Sequence, residues 1–309
     1  MWPWQSDLPR FLDTIAHVKI YLSLVRKLFV VVLLSWIVCS HMVNAQGNSG
    51  KITTSSVVTV EQIGDSGRYQ LLRVGRPYRI KGAGMHASEI AVFAAHGGNS
   101  LRTWGTGYDR VSGTQLLDEA AAHGLSVALC LDLGRERHGF DYDDAEAVDR
   151  QLEYDRQEVL KYKDHPALLF WIIGNELNHS YTNPRVFDAI NDISRMIHAV
   201  DGNHPTTTAL TGFSAEMLAV MEARAPDLDF LSFQLYAGLD ELPQMIRETG
   251  YRKPFMITEW GATGHWEVAR TPWGAPVEMN SSEKARLFLQ RYENVIAANP
   301  GQIIGSYVF

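Results

Sequence analysis

From residue 79 to the C-terminal end, short apolar runs alternate with longer amphipathic ones, and this alternation constrains the fold most. The candidate strands are 79–84, 99–103, 126–132, 167–174, 205–210, 229–236, 254–259 and 302–309. Short apolar strands separated by helices are typical of a parallel sheet buried on both faces. Eight such units predict an α/β fold of the (β/α)8 TIM barrel type, which needs roughly 250 residues. The chain of 309 residues is long enough for it.

The helical runs carry start and stop signals. The run 184–200 begins with Pro184, keeps its apolar residues on one stripe, and is followed by Gly202. Proline in the first turn and glycine just past the end are typical helix boundaries. The other predicted helices are 114–123, 144–163, 214–224 and 282–298.

Both ends of the predicted barrel are distinctive. Apolar alternating runs at 57–63 and 69–74 flank Gly64-Asp-Ser-Gly67, which predicts a short N-terminal β-hairpin that closes the bottom of the barrel. The chain ends at Phe309, inside the eighth predicted strand, and no eighth helix follows. Either the sequence is a fragment truncated at strand eight, or the barrel closes with an unusual end.

Residues 1–45 are typical of a secretory signal peptide. Arg26-Lys27 precede the apolar run 28–38, and Val43-Asn-Ala45 places small residues before a cut at Gln46. The apolar run is about a dozen residues long, whereas a bilayer span needs about 20. We therefore expect export to the periplasm or the extracellular space, with a retained membrane anchor as the alternative. Residues 46–56 are expected to be a flexible tether, and 57–309 the barrel domain with its hairpin.

Charge and cysteine content narrow the class of partner. The formal net charge of −7 argues against nucleic acid and other polyanions and suits a neutral substrate such as a polysaccharide. One of the two cysteines, Cys39, lies at the end of the signal, and Cys130 lies in an apolar strand. No disulfide is expected, and Cys130 is predicted to be a core residue.

No cofactor or metal is expected. His138 with Asp141 and Asp143 lacks convincing ligand spacing. Gly82-Ala-Gly84 lacks the continuation that a dinucleotide-binding loop needs.

Two glutamates end predicted strands. Glu176 closes the run that begins at Leu168, and Glu259 closes the run that begins at Pro254. A carboxylate at the end of a buried strand is costly to desolvate and rarely serves stability. Two of them around one pocket are what cleavage of a glycosidic bond requires, because one protonates the leaving oxygen and the other attacks the sugar.

These motifs resemble those of a known group of enzymes. Ile173-Gly-Asn-Glu176 and Ile257-Thr-Glu-Trp-Gly261 resemble the acid/base and nucleophile motifs of the glycoside hydrolase clan A barrels. The resemblance is nearest to the catalytic domain of family 2, with family 5 next, and covers roughly residues 70–309. It implies that Glu176 is the general acid/base and Glu259 the nucleophile.

The same resemblance assigns three supporting residues. Arg102 matches the arginine that pairs with the nucleophile, Tyr236 the tyrosine that donates to it, and Asn175 the partner of the sugar 2-hydroxyl. Each has a structural alternative. The alternatives are that Arg102 forms a structural ion pair, that Tyr236 packs at the barrel rim, and that Asn175 caps the turn after its strand.

Further candidates flank the strand ends. His86 is a candidate contact for a sugar hydroxyl, or else a helix-entry residue. Trp104 and Trp266 are candidate platforms for a pyranose ring, since aromatic faces stack on sugars, although buried aromatics also fill space. Loop residues that we expect to shape subsites are Asp132, His138, Asp141, His179 and Tyr181.

The sequence thus predicts a retaining glycoside hydrolase that cleaves β-glycosidic bonds in an oligo- or polysaccharide. Its two carboxyl groups are expected about 5–5.5 Å apart, and its activity is expected to be bell-shaped in pH. A transglycosylase with the same two carboxylates is the first alternative. A carbohydrate-binding barrel without turnover is the second.

Overall fold

The computed structural model describes residues 56–108 and 110–309, and eight strands of this region close a barrel. Every neighbouring pair in the barrel is parallel. The eight predicted strands are all present, which confirms the (β/α)8 prediction. The barrel strands are β4 (Gly82–Gly84), β5 (Ser100–Arg102), β8 (Ser126–Leu131), β9 (Leu168–Asn175), β10 (Thr206–Thr211), β11 (Leu231–Gln234), β12 (Phe255–Trp260) and β13 (Ile303–Val308).

Alternation of side chains along each strand builds two apolar layers. In β8, Val127 and Leu129 face the surrounding helices, whereas Ala128 and Cys130 face the barrel interior. The interior is filled by side chains that include the buried rings of Phe170 and Tyr307. Cys130 is buried, as predicted, and burial raises the pKa of its thiol to about 12.

Helices cover the outside of the barrel. The five predicted helices are present, and within the described region the structure adds two short ones, Ile90–Ala95 and Leu242–Thr249. A small hairpin, β6 (Gly107–Tyr108) with β7 (Val111–Ser112), also follows β5. The predicted helices have the bounds Gly113–Ala122, Ala145–Tyr162, Arg185–Val200, Ala215–Arg224 and Ser281–Arg291, the last of which continues as a π-helical turn, Tyr292–Ile296.

Local signals fix where several helices begin. Ser112 and Gln115 form a capping box before one helix, and Asn280 and Glu283 form another before the last. In each box the side chains satisfy backbone N–H groups that the first turn leaves without partners. The helix starts are therefore set by short-range hydrogen bonds as well as by packing.

A small antiparallel sheet lies over the N-terminal ends of the barrel strands. It consists of β1 (Val58–Gln62), β2 (Tyr69–Arg73) and β3 (Arg76–Pro77). The N–H of Val58 donates to the carbonyl of Asn203, and Arg73 donates to the carbonyl of Pro166. Both acceptors lie just before barrel strands, so the predicted hairpin does close the bottom of the barrel.

Buried polar groups tie the chain to the same end. Asp201 accepts from the indole of Trp171 at 2.7 Å and contacts His204 Nδ1 at 2.9 Å. Burial works against the charged form, but these partners outweigh it and hold the pKa of Asp201 below its ordinary value. Ser56, the last residue of the segment expected to be a tether, is buried and donates to the carbonyl of Leu168.

The expected signal peptide, residues 1–45, lies outside the described residues, as does the expected tether up to residue 55. Among residues 56–108 and 110–309, no helix has the combination of length and apolar character that crossing a bilayer requires.

Candidate active site

Polar side chains converge where the barrel strands end. Arg102 is the last residue of β5, Asn175 of β9 and Gln234 of β11, and Glu259 is the penultimate residue of β12. The register places Gln234 beside Glu259 on the neighbouring strand. In barrels of this kind the carboxyl ends of the strands form the site, and this end lies opposite the N-terminal sheet.

The carboxylate of Glu259 is held by three donors. Arg102 Nη1 and Trp104 Nε1 both donate to Oε1 at 2.7 Å, and the Tyr236 hydroxyl donates to Oε2 at 3.0 Å. Glu259 is only 7% exposed and Arg102 is fully buried, so this is a desolvated, hydrogen-bonded ion pair. Such pairs fix a carboxylate in one orientation. The contacts that the resemblance implied for Arg102 and Tyr236 are both present.

The phenol of Tyr236 holds its proton more firmly than that of an exposed tyrosine. Burial, and then the charge of Glu259, raise the pKa of its phenol well above the usual range. The ring of Trp266 packs edge-on against it, with centroids 5.1 Å apart. Tyr236 therefore donates its hydroxyl hydrogen to Oε2 of Glu259.

Asn175 is oriented by two donors. Arg102 Nη2 and Gln234 Nε2 each donate to its Oδ1 at 2.7 Å. A guanidinium only donates, so the atom that faces Arg102 has to be the amide oxygen. The amide N–H2 of Asn175 is consequently directed away from both partners and is available as a donor.

Glu176 has an unusual backbone. Its φ is +52°, and Gly174, two residues earlier, has a φ of +73°. A Cβ added to Gly174 would lie 2.5 Å from the side chain of Leu177, so only glycine fits there. For a non-glycine residue the left-handed region costs about 1–2 kcal/mol. Strain of this kind is commonly found at functional sites.

The side chain of Glu176 is half-buried and retains its proton better than an exposed glutamate does. Burial raises its pKa, and the charge of Glu259 raises it further. Arg137, His179 and Arg102 act in the opposite direction, but the net effect is a pKa above the ordinary value. The two glutamates thus occupy contrasting environments, one ion-paired and one favouring the neutral acid.

The aromatic candidates have different surroundings. The indole N–H of Trp104 is bonded to Glu259, and its ring contacts His86 at a centroid distance of 5.4 Å and Phe309 at 5.0 Å. His86 is exposed and precedes the 3-10 turn Ala87–Glu89. Trp266 is 57% exposed beside Tyr236. The assignment of all three to substrate binding stays a prediction.

Two of the five loop residues expected to shape subsites, Asp132 and Tyr181, contact other side chains. Asp132 pairs with Arg135 at 2.9 Å. Tyr181 packs edge-on against Phe187 on the following helix. In the part of the chain that the structure describes, no group of three or more His, Cys, Asp or Glu side chains is placed to bind a metal ion.

A family comparison bears on this arrangement. The profile described as "Glycosyl hydrolases family 2, TIM barrel domain" matches residues 87–270, more than half of the chain. The chain belongs to glycosyl hydrolase family 2. The match spans β5 to β12 and includes both Glu176 and Glu259.

Solved structures share the family 2 barrel. A β-glucuronidase from Bacteroides uniformis has 16% identity and a TM-score of 0.60, over 82% of this chain and 32% of that one. A β-glucuronidase from Bifidobacterium dentium has 20% identity and a TM-score of 0.59, over 82% and 42%. A GH2 β-galacturonidase from Eisenbergiella tayi has 20% identity and a TM-score of 0.56, over 82% and 46%.

These similarities establish the fold. The chain spans less than half the length of the three enzymes. No curated protein matches the sequence.

Two residues of this family 2 barrel were missed by the sequence reading. Gln234 lies two residues before Tyr236 in the predicted strand 229–236, and this spacing was the signal that both face the site. Arg137 lies in the loop after β8, and its Nη1 donates to the backbone carbonyl of Glu176 at 2.6 Å. A contact to a backbone carbonyl leaves no trace in side-chain motifs, so no sequence signal pointed to Arg137.

Proposed function

We propose that this family 2 barrel is a retaining glycoside hydrolase that cleaves β-glycosidic bonds in an oligo- or polysaccharide by double displacement. Glu259 is the nucleophile and Glu176 the general acid/base. Arg102, Trp104 and Tyr236 hold the nucleophile, and Asn175 is directed at the sugar 2-hydroxyl.

One observation carries the proposal: the two glutamates at the strand ends lie in contrasting environments. Glu259 accepts from three donors, one of them a buried guanidinium. Glu176 has a raised pKa, chiefly from burial and secondly from Glu259 itself. A pair of carboxyl groups separated in this way has the acid and the nucleophile that retaining cleavage needs.

In the first step, an oxygen of Glu259 attacks the anomeric carbon, and the bond from this carbon to the leaving oxygen breaks. The leaving oxygen takes the proton of Glu176. In the second step Glu176, now ionised, takes a proton from water. The water oxygen attacks the anomeric carbon and releases Glu259 as a carboxylate. Two inversions give net retention.

Two observations favour different sugar classes, and an experiment has to decide between them. The acidic net charge suits a neutral substrate. The structural neighbours named above are a set of uronidases, and one of them is described as bound to galacturonate. A test panel therefore needs 4-nitrophenyl β-glucosides, β-galactosides, β-mannosides, β-glucuronides and β-galacturonides, together with β-glucan and β-mannan.

The deciding experiment combines turnover with trapping of the intermediate. We expect turnover of at least one panel member, with the first-formed sugar in the β configuration by proton NMR. A 2-deoxy-2-fluoro glycoside of the same sugar should add its glycosyl mass to the wild type but not to Glu259→Ala. An α-configured first product, or labelling that persists in Glu259→Ala, would overturn the mechanism.

The alternatives give other results in the same experiment. Transfer of the sugar to a second sugar in preference to water would identify a transglycosylase with the same residues. Binding of oligosaccharide without turnover of any panel member would favour a binding barrel.

A further inference from the structure

The turn that carries Glu176 is strained and needs external support. Within residues 56–108 and 110–309, Val74, Glu176 and Ser180 are the non-glycine residues with positive φ, and two of these three lie in this one turn. The N–H of Glu176 is secured by the carbonyl of Ala209 at 2.8 Å, on the neighbouring strand. Its carbonyl is secured from the other side.

That second support comes from Arg137. Its Nη1 donates to the Glu176 carbonyl at 2.6 Å and approaches the His179 carbonyl at 3.4 Å. The N–H of His179 also donates to the Glu176 carbonyl, at 3.1 Å. One guanidinium thus spans both ends of the turn and reinforces its internal hydrogen bond.

Arg137 reaches this turn from a loop that is itself fastened to the same region. It lies in the 3-10 turn Glu136–His138 after β8. The adjacent Glu136 accepts from the N–H groups of Thr182 and Asn183, a few residues beyond Glu176. Among the described side chains, no carboxylate lies within ion-pair distance of Arg137, so its charge is not neutralised by a direct partner.

That charge acts on Glu176. Five ionisable groups around the turn influence these pKa values. Glu259 raises the pKa of Glu176, whereas Arg137, His179 and Arg102 lower it. Arg135 lowers the pKa of Arg137. Burial remains the largest influence on both groups. Arg137 therefore offsets part of the burial that keeps Glu176 protonated.

We infer that Arg137 is a positioning residue for the acid/base: through its hydrogen bonds to the Glu176 and His179 carbonyls, it holds the left-handed turn that aims Glu176. This inference rests on the role of Glu176 proposed above. Arg137 acts through Glu176 and is not itself assigned a contact with the substrate.

The test compares Arg137→Met with Arg137→Lys. We use kcat/KM for 2,4-dinitrophenyl and methyl β-glycosides of the sugar released in the panel, because the first leaving group needs little protonation and the second needs much. Arg137→Met should lose at least tenfold on the methyl glycoside and much less on the dinitrophenyl one. Arg137→Lys, which keeps the charge, should recover part of the loss.

The pH profile separates this role from a merely structural one. Removing the positive charge raises the pKa of Glu176, so the alkaline limb of kcat/KM should move to higher pH in Arg137→Met and return in Arg137→Lys. Arg150→Met is the matched control, since Arg150 is an exposed arginine that pairs with Glu146 within its own helix. It should keep wild-type rates on both substrates.

Two results would overturn the inference. The first is an equal loss on both substrates with an unmoved alkaline limb. The second is no loss at all. If Arg137→Met does not fold, Arg137→Gln takes its place, because glutamine donates a hydrogen bond but carries no charge. Arg137→Gln should keep the wild-type rate on the methyl glycoside, and its alkaline limb should lie at higher pH than that of the wild type.

Glu176→Gln serves as the reference. Full activity of Glu176→Gln on the methyl glycoside would reject the proposed function, and this inference with it. Selective loss in Glu176→Gln without selective loss in Arg137→Met would reject the inference alone.

Discussion

The proton of Glu176 is held by burial and by the neighbouring charge of Glu259. In its proposed role of general acid, Glu176 works only while protonated, so kcat/KM should fall as pH rises through the pKa of Glu176. Because that pKa is raised, the fall should occur at higher pH than for an exposed glutamate.

The contribution of Glu259 can be isolated by titration. Glu259→Gln removes a negative charge, so the pKa of Glu176 should fall towards its ordinary value. Carbon-13 NMR of the labelled glutamate side chains measures this in both proteins. Glu278→Gln, an exposed change outside the charges that act on Glu176, is the control and should leave the titration unmoved. An unchanged pKa in Glu259→Gln would contradict the coupling.

Trp104 provides a second residue-level prediction. Trp104→Phe keeps an aromatic ring but removes the N–H that donates to Glu259 Oε1 at 2.7 Å. Hydrogen bonds to charged groups contribute about 1.5–3 kcal/mol, so the rate of labelling by a 2-deoxy-2-fluoro glycoside should fall roughly tenfold to a hundredfold. Trp273→Phe, at a position 80% exposed, should label at the wild-type rate. Equal rates for Trp104→Phe and wild type would show that the contact contributes nothing.

Gln234 is expected to matter through Asn175. Gln234→Met removes one of the two donors that orient the Asn175 amide. We expect kcat/KM to fall by about tenfold, the value of one such hydrogen bond. The wild-type preference for a glycoside over its 2-deoxy analogue should shrink.

Stability should hardly change in Gln234→Met, because Oε1 of Gln234 is buried without a protein partner and its removal relieves that cost. Gln244→Met, an exposed change, is the control. A full 2-hydroxyl preference in Gln234→Met would contradict the role given to Asn175.

At the scale of the elements, the last helix secures the loops behind the site. Arg291 is buried and binds Asp240, the carbonyl of Gly261 and Thr263. These partners follow Tyr236 on one side and Glu259 on the other. Arg291 therefore joins the loops after β11 and β12 to the start of the π-helical turn.

Arg291→Met should lower the free energy of unfolding by about 2 kcal/mol, since a buried carbonyl loses its donor. Urea denaturation measures it. Arg286→Met, an exposed position of the same helix, should change stability by less than about 0.5 kcal/mol. Equal stability of the two variants would mean that the loops are held by other contacts.

The sequence predicted those elements that carry a long periodic signal. All eight barrel strands and five helices were placed, because each is an apolar run or stripe bounded by turn residues. The helix Ile90–Ala95 was missed because six residues contain less than two turns of pattern. Leu242–Thr249 is held by tertiary contacts of Leu242 and Ile246, which two residues alone do not reveal.

The candidate site was predicted from two sources. Glu176 and Glu259 stood out because each closes an apolar strand-like run, whereas Arg102, Asn175 and Tyr236 came from the resemblance to the clan A motifs. The bonds from Trp104 to Glu259 and from Arg137 to a carbonyl depend on how neighbouring loops meet, which the chain order does not specify.

For the molecule as a whole, the N-terminal sheet and the candidate site lie at opposite ends of the barrel. Leu71 of the N-terminal sheet is 2% exposed and belongs to the cluster that fills the barrel. Leu71→Ala should cost about 2–5 kcal/mol in urea denaturation, with kcat unchanged while the protein stays folded. Ile63→Ala, at an exposed position just after β1, should cost far less. A drop in kcat for folded Leu71→Ala would show that the two ends are coupled.

The N-terminal sheet lies at one end of the described barrel, and the candidate site lies at the other. Under the proposed double displacement, the alcohol departs from the same face of the anomeric carbon, beside Glu176, that the incoming water has to approach. A departed alcohol that lingers there competes with water for the glycosyl group and regenerates the starting compound. The yield of hydrolysis therefore depends on how fast the departed alcohol leaves compared with how fast water attacks. Added alcohol should divert product in proportion to its concentration.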